Sequence, residues 1–179
     1  MSLNTKESFR KLFINKLKFF SKQAKIKKDK YICTKILKVI DLHEAKNILL
    51  YIPLSAEVDV RPLINILRKK KDTKVYVPFM KGDSFIPVEF RYPLKRKRFG
   101  IKEPLYSNCL KKRIDLIVVP IIGIDPTFRR VGFGAGMYDR FYDRLGYRPV
   151  TIFTQLKLCV AKEIITSSHD IEPDYIITA

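Results

Sequence analysis

The segment best suited to chemistry is Arg129-Arg130-Val131-Gly132-Phe133-Gly134-Ala135-Gly136-Met137-Tyr138-Asp139. Glycines at alternate positions let a backbone take conformations closed to other residues and come close to a ligand. The segment leads into a helix expected from about Met137 to Leu145. Amides at that helix start would face an anion, with the helix dipole behind them. Arg129 and Arg130 add the charge-assisted contacts that phosphate takes. Asp139, in the first helical turn, would repel phosphate, so its position makes sense with Mg²⁺ between the two. The spacing is GxGxG, which is neither the GxGxxG of dinucleotide folds nor a loop ending in GK[ST]. On the glycines alone, a tight turn that seats a helix on a strand fits equally well. Surface pairing along the helix with Arg140 and Arg144 would account for Asp143 better than for Asp139.

Hydrophobic periodicity supplies the elements that must hold this segment. Phe9, Leu12, Phe13, Leu17 and Phe20 recur at helical spacing, and a second amphipathic helix runs from about Asp29 to Leu42. Ile48 to Ile52, ended by Pro53, reads as a buried strand. A helix follows from about Asp59, an N-cap candidate ahead of Pro62. Lys74 to Pro78, Ile86 to Phe90, Ile114 to Val119, Val150 to Phe153 and Tyr175 to Thr178 read as further strands. Residues 91–112 read as an irregular surface excursion, and 156–165 as a helix. Strands alternating with helices predict an α/β fold: a three-layer, open, mostly parallel sheet with helices on both faces. Ligands of such sheets bind beyond the C-terminal ends of the strands. With no internal repeat and no domain-sized linker, residues 1–179 are expected to form a single domain.

Composition narrows the function classes. The apolar fraction of 46% is that of a globular chain. Cys33, Cys109 and Cys159 are too scattered for a disulfide framework, and His43 and His169 do not make a zinc site. The longest apolar run, around Leu116 to Ile124, is far short of a membrane span. The N-terminus has no signal-peptide core, so a cytoplasmic location is expected. The net charge of +18 admits three readings: nucleic-acid binding, solvated lysine-rich helix faces, or a field that attracts an anionic small substrate.

The glycine-rich segment resembles the 5-formyltetrahydrofolate cyclo-ligase family. That family carries a strand, Pro-Gly-x-x-Phe-Asp, a short gap, then Arg-Leu-Gly-x-Gly-x-Gly-Tyr-Tyr-Asp. Here the matching residues are Pro120 to Asp125 and Arg130 to Asp139, with the spacing kept. Other blocks match in order. They are Lys6 and Arg10; Tyr51-Ile52-Pro53 with Glu57-Val58-Asp59; Gly100-Ile101-Lys102-Glu103-Pro104; and His169-Asp170, Asp174 and Ile177-Thr178.

The resemblance implies an enzyme that closes 5-formyltetrahydrofolate to 5,10-methenyltetrahydrofolate with ATP and Mg²⁺; a monomer is expected. It implies that Lys6, Arg10 and the loop Arg130, Val131, Gly132, Phe133, Gly134, Ala135 and Gly136 bind ATP, with Lys6, Arg10 and Arg130 catalytic. It places folate against Ile52, Glu57, Phe133, Gly134, Met137 and Tyr138, and Mg²⁺ at Asp139 and Asp170. The positive field would suit a polyglutamylated substrate. Met137 departs from a family tyrosine, Phe128 stands in place of a family glycine, and Cys159 falls near a family glutamine. Standing alone, Glu57 would read as a surface loop acid and Asp170 as a loop acid or cap. Two rivals are a basic RNA-associated protein, hinted at by Phe90-Arg91-Tyr92 and Lys95 to Phe99, and another ATP-dependent phosphoryl transferase. Specific nucleic-acid binding is not expected, because it would give no reason for Glu57, Asp139 and Asp170 to fall where they do.

Overall fold

The computed structural model describes residues 5–20, 24–97, 100–105 and 113–179. Arg98, Phe99 and Cys109 lie outside the described residues. Helices α1 (Lys6–Phe20) and α2 (Lys25–Leu42) come first, followed by strand β1 (Asn47–Leu49), helix α3 (Arg61–Leu67), and strands β2 (Lys74–Lys81) and β3 (Ser84–Glu89). Short strands β4 (Leu94–Arg96) and β5 (Lys102–Pro104) precede β6 (Leu116–Pro120), and β7 (Gly123–Ile124) and β8 (Arg130–Val131) follow it. Helix α4 (Met137–Asp143) and strands β9 (Val150–Thr154) and β10 (Tyr175–Ile177) complete the order.

The main sheet runs β10-β9-β6-β1-β2-β3, parallel throughout except for the β2–β3 hairpin. Alternation along β6 explains why both of its faces are covered. Leu116 and Val118 join a core with Ile36 and Ile40 of α2 and Leu63 and Leu67 of α3. Ile117 and Val119 join a core on the other face with Phe153 and Phe141 of α4. The expected α/β sheet with helices on both faces is therefore what forms.

Four local expectations change. The stretch 91–112, read as an irregular surface excursion, carries in its described part the antiparallel pair β4–β5, with Glu103 buried. Helix α2 begins at Lys25, ahead of Asp29. Helix α3 has Val60 as its N-cap, while Asp59 Oδ1 accepts the Arg61 N–H at 3.0 Å. Residues 156–165 form no helix. Their backbone is used elsewhere: Ile124 N–H donates to Cys159 O and Ala161 N–H to Ile124 O, at 3.0 and 2.8 Å. The buried Gln155 sets this course, because its Oε1 accepts the Cys159 N–H at 3.0 Å and its Nε2 donates to Ile122 O. Side-chain capture of backbone groups outcompetes helical periodicity here.

Helix α1 packs on this irregular layer rather than on the sheet. Phe9 and Leu17 join Ile122, Val131, Cys159 and Ala161 in a third core. The approach is close at Gly123, where a Cβ would lie 2.4 Å from Cys159 O and 2.6 Å from Phe9 Cζ. Gly123→Ala is therefore expected to cost about 1–3 kcal/mol through overpacking. A lowered urea midpoint with an unchanged slope would register it.

Phe128 has φ 61° and is 60% exposed. It holds the left-handed conformation that suits the glycine of the family turn, so the turn survives the substitution. Buried Asp125 enforces it. Its backbone carbonyl accepts the Phe128 N–H at 2.9 Å, and its carboxylate binds Thr127 and Thr166. Burial alone would raise the Asp125 carboxyl, but these donors bring it down to about 2. Because left-handed backbone costs a side-chain-bearing residue about 1–2 kcal/mol, Phe128→Gly is expected to raise the thermal midpoint.

Candidate active site

The glycine segment lies beyond the C-terminal end of β6, at the meeting point of two concavities. The first is an apolar cavity of about 500 Å³, walled by Tyr51, Ile52, Pro78, Phe85, Met137 and Tyr138 among others. Its volume suits a drug-sized or cofactor-sized ligand. The second is a polar depression bordered by Lys6, Arg10, Arg130, Asp139 and Asp170. Arg130 and Gly136 border both.

Arg130 is 4% exposed and is held as a fork, Nε to Asp139 Oδ1 at 3.1 Å and Nη2 to Asp139 Oδ2 at 2.7 Å. Its guanidinium also stands 5.5 Å from the centre of the Tyr138 ring. Gly132 makes room for it, since a Cβ there would lie 2.1 Å from Arg130 Nη1. Gly134 and Gly136 have φ 105° and 60°, so both serve the loop through conformation, and at Gly136 a Cβ would also lie 2.8 Å from Arg140 Nη1. Arg10 Nε donates to Gly132 O at 2.8 Å, tying α1 to the loop. Lys6 forms an ion pair with Asp170. Phe9 is buried between these two cations in sequence and anchors the turn that presents them. Burial would raise the Asp170 carboxyl, but Lys6 and the Ser167 donors hold it below the usual carboxylate range, so it is ionised at neutral pH.

Helix α4 has only seven residues, so it contributes little dipole. An anion in the depression would be held by side-chain cations and loop amides. Arg129 points elsewhere and pairs with Glu172. Val131 is buried in the α1 core, and its carbonyl accepts the Ile122 N–H at 2.9 Å. It borders neither concavity. Gly134 borders the depression, whereas Phe133 and Ala135 border the cavity. His169, Arg140 and Asp143 also border the depression, although the glycine motif did not single them out for this role.

Glu57 reaches the apolar cavity from the turn after β1. Its Oε2 accepts the Leu54 N–H at 2.7 Å. Burial raises its carboxyl to about 7, against the lowering effect of that N–H and of Lys25. Its main chain is clamped from α2. Lys25 Nζ donates to Glu57 O at 2.7 Å and to both oxygens of Asp29, at 3.1 and 3.0 Å. Asp29 Oδ1 accepts the Asp59 N–H at 3.0 Å. Lys25 and Asp29 were not singled out from sequence; their only mark is an i,i+4 charge pair. Cys159 is buried with its thiol pushed up by burial, which makes it a packing residue rather than a nucleophile.

In the aromatic-basic stretch near residue 90, the Arg68 guanidinium lies 5.2 Å from the Phe90 ring centre and 5.8 Å from that of Tyr92. Among the described residues no helix is long and apolar enough to cross a membrane.

The sequence model of the 5-formyltetrahydrofolate cyclo-ligase family matches residues 2–179. The chain belongs to that family. A 5-formyltetrahydrofolate cyclo-ligase of Haemophilus influenzae is 33% identical over 112 residues, which are 58% of this chain and 59% of that protein. One from Escherichia coli K12 is 28% identical over 103 residues, 54% and 57% of the two chains. The chain thus spans somewhat over half the length of the curated relatives it matches. Among solved structures, 5,10-methenyltetrahydrofolate synthetase of Aquifex aeolicus aligns with TM-score 0.80 at 24% identity, covering 97% of this chain and 89% of that one. The Mycoplasma pneumoniae 5,10-methenyltetrahydrofolate synthetase aligns with TM-score 0.77 at 23% identity, covering 96% and 97%. These likenesses show a shared fold, and the paired concavities are where the family's sequence blocks meet in it.

Proposed function

We propose that the chain is an ATP- and Mg²⁺-dependent 5-formyltetrahydrofolate cyclo-ligase that yields 5,10-methenyltetrahydrofolate, ADP and phosphate. The observation that carries this reading is Arg130, which borders both the apolar cavity and the cationic depression. A pterin in the cavity and a triphosphate in the depression would meet at its guanidinium.

The N5-formyl oxygen takes the γ-phosphoryl group of ATP, and ADP leaves. N10 then attacks the activated formyl carbon and gives up its proton, the C–O bond breaks, and the formyl oxygen departs in hydrogen phosphate to leave the methenyl bridge. Lys6, Arg10 and Arg130 hold the phosphates and stabilise charge on the transferred group. The cavity wall of Ile52, Met137 and Tyr138 holds the pterin so that ring closure is intramolecular. Glu57, when ionised, accepts hydrogen bonds from pterin N–H groups. Asp139 and Asp170 suit Mg²⁺, which takes one or two carboxylates together with phosphate oxygens. Mg²⁺ would neutralise phosphate charge there. The net charge of +18 favours anionic substrates, polyglutamylated folate included. A monomeric state and a cytoplasmic location are part of this reading.

The test is formation of the methenyl chromophore by purified protein with ATP, Mg²⁺ and 5-formyltetrahydrofolate. Product should appear saturably and require both ATP and Mg²⁺; no chromophore would reject the assignment. Asp139→Asn should lower turnover by about 10²-fold or more and raise the Mg²⁺ concentration needed for half-maximal rate. Near-normal turnover at limiting Mg²⁺ would remove Asp139 from the metal site.

A further inference from the structure

We propose that the β4–β5 ribbon carries an anion subsite at the rim of the apolar cavity, with Arg96 and Lys102 as donors and a carboxylate as ligand. The inference rests on the reading of that cavity as the folate site and adds recognition of the far end of the substrate.

In the antiparallel register Arg96 stands opposite Lys102, so both side chains leave the same face of the ribbon. Like charges directly opposite are destabilising, and an anion between them reverses that cost. Neither residue makes an ion pair with a described residue, unlike Lys6, Arg129 and Arg130. Both are exposed and therefore accessible.

The ribbon is fixed in relation to the cavity. Glu103, 2% exposed, accepts the Met80 N–H through Oε1 at 3.0 Å, and Met80 borders the cavity. Lys97 N–H donates to Ile101 O at 2.7 Å, closing the ribbon. Gly100 has φ 76°, and a Cβ on it would lie 3.5 Å from Arg96 Nη2, so the guanidinium folds back over that turn. Ile101 and Lys102 border the cavity, whereas neither Arg96 nor Lys102 borders the phosphate depression. This subsite is therefore separate from the ATP cations.

A ligand with an apolar, aromatic body in the cavity would extend an acidic end towards this pair. In 5-formyltetrahydrofolate that end is the glutamate joined to the benzoyl group. A guanidinium can grip a carboxylate through two parallel donors, and the lysine adds a point charge.

The test compares two substrates, 5-formyltetrahydrofolate and the analogue that ends at the benzoate and lacks glutamate. In the double variant Arg96→Ala/Lys102→Ala, KM for the glutamate-bearing substrate should rise about tenfold or more, as expected for lost charge-assisted contacts. Its advantage in kcat/KM over the analogue should shrink by the same factor, and Arg96→Lys should keep part of it. Equal losses on both substrates, or an unchanged ratio, would overturn the subsite while the cyclo-ligase reading stands. A wild-type chain that makes no methenyl product would overturn the cyclo-ligase reading, and the subsite's ligand with it.

Discussion

Replacing Arg130 by Met is expected to lower kcat by about 10³-fold or more, the range seen when an arginine that stabilises phosphoryl transfer is lost. Three losses coincide. The cation common to both concavities disappears. Asp139 loses its two-point partner. The Tyr138 ring loses the charge over its face. A part-buried carboxylate left without its partner costs about 1–3 kcal/mol, so unfolding should be followed beside turnover. Arg130→Lys separates the effects. It restores charge but cannot fork onto Asp139, so it should recover ATP binding better than kcat. Turnover within tenfold of wild type in the Met variant would show that the arginine is structural.

Glu57→Gln should raise KM for the folate substrate by about 10–100-fold, the worth of hydrogen bonds to a charged acceptor, with a smaller effect on kcat. The pH dependence has a definite sign. Burial lifts the Glu57 carboxyl from 4.5 to about 7, so in the free protein it is largely protonated below that pH. Binding through pterin N–H groups needs the ionised form, so KM should fall as pH rises and level off above about 7. Between pH 6 and pH 8 the change should approach about tenfold, as linkage to one proton requires. The Gln variant should have a flat profile over that range. For stability the sign is opposite. A carboxyl raised on folding favours the folded state at low pH, and that contribution fades as pH climbs from 4.5 towards 7. A wild-type KM that does not vary with pH would remove Glu57 as the acceptor.

Particular residues show how far local pattern reaches. The continuous apolar run Ile114 to Val119, ended by Pro120, identified the most buried strand, and the Gly132-x-Gly134-x-Gly136 spacing identified the loop beyond it. Segment 156–165 had helical composition, yet Gln155, anchored on Ile122 O and Cys159 N–H, diverts its backbone to Ile124 of β7, a competition visible only once the strands are placed. Likewise nothing local distinguishes Arg129 from Arg130. One pairs outward with Glu172, and the other is sealed against Asp139.

The sequence by itself determined the main-sheet strands, the first helices, the mostly parallel sheet, the family and the residue types at the site, because periodicity, turn chemistry and motif spacing are properties of neighbours along the chain. Only the tertiary structure decided which charges meet. Lys6 reaches Asp170 across 164 positions, and Arg10 reaches Gly132 across 122. It also decided that Gly132 exists to admit a guanidinium, that Phe128 keeps a glycine's conformation, and that Arg96 stands opposite Lys102 in the β4–β5 pair. Electrostatic and steric energies depend on distance in space, and the fold alone sets that distance.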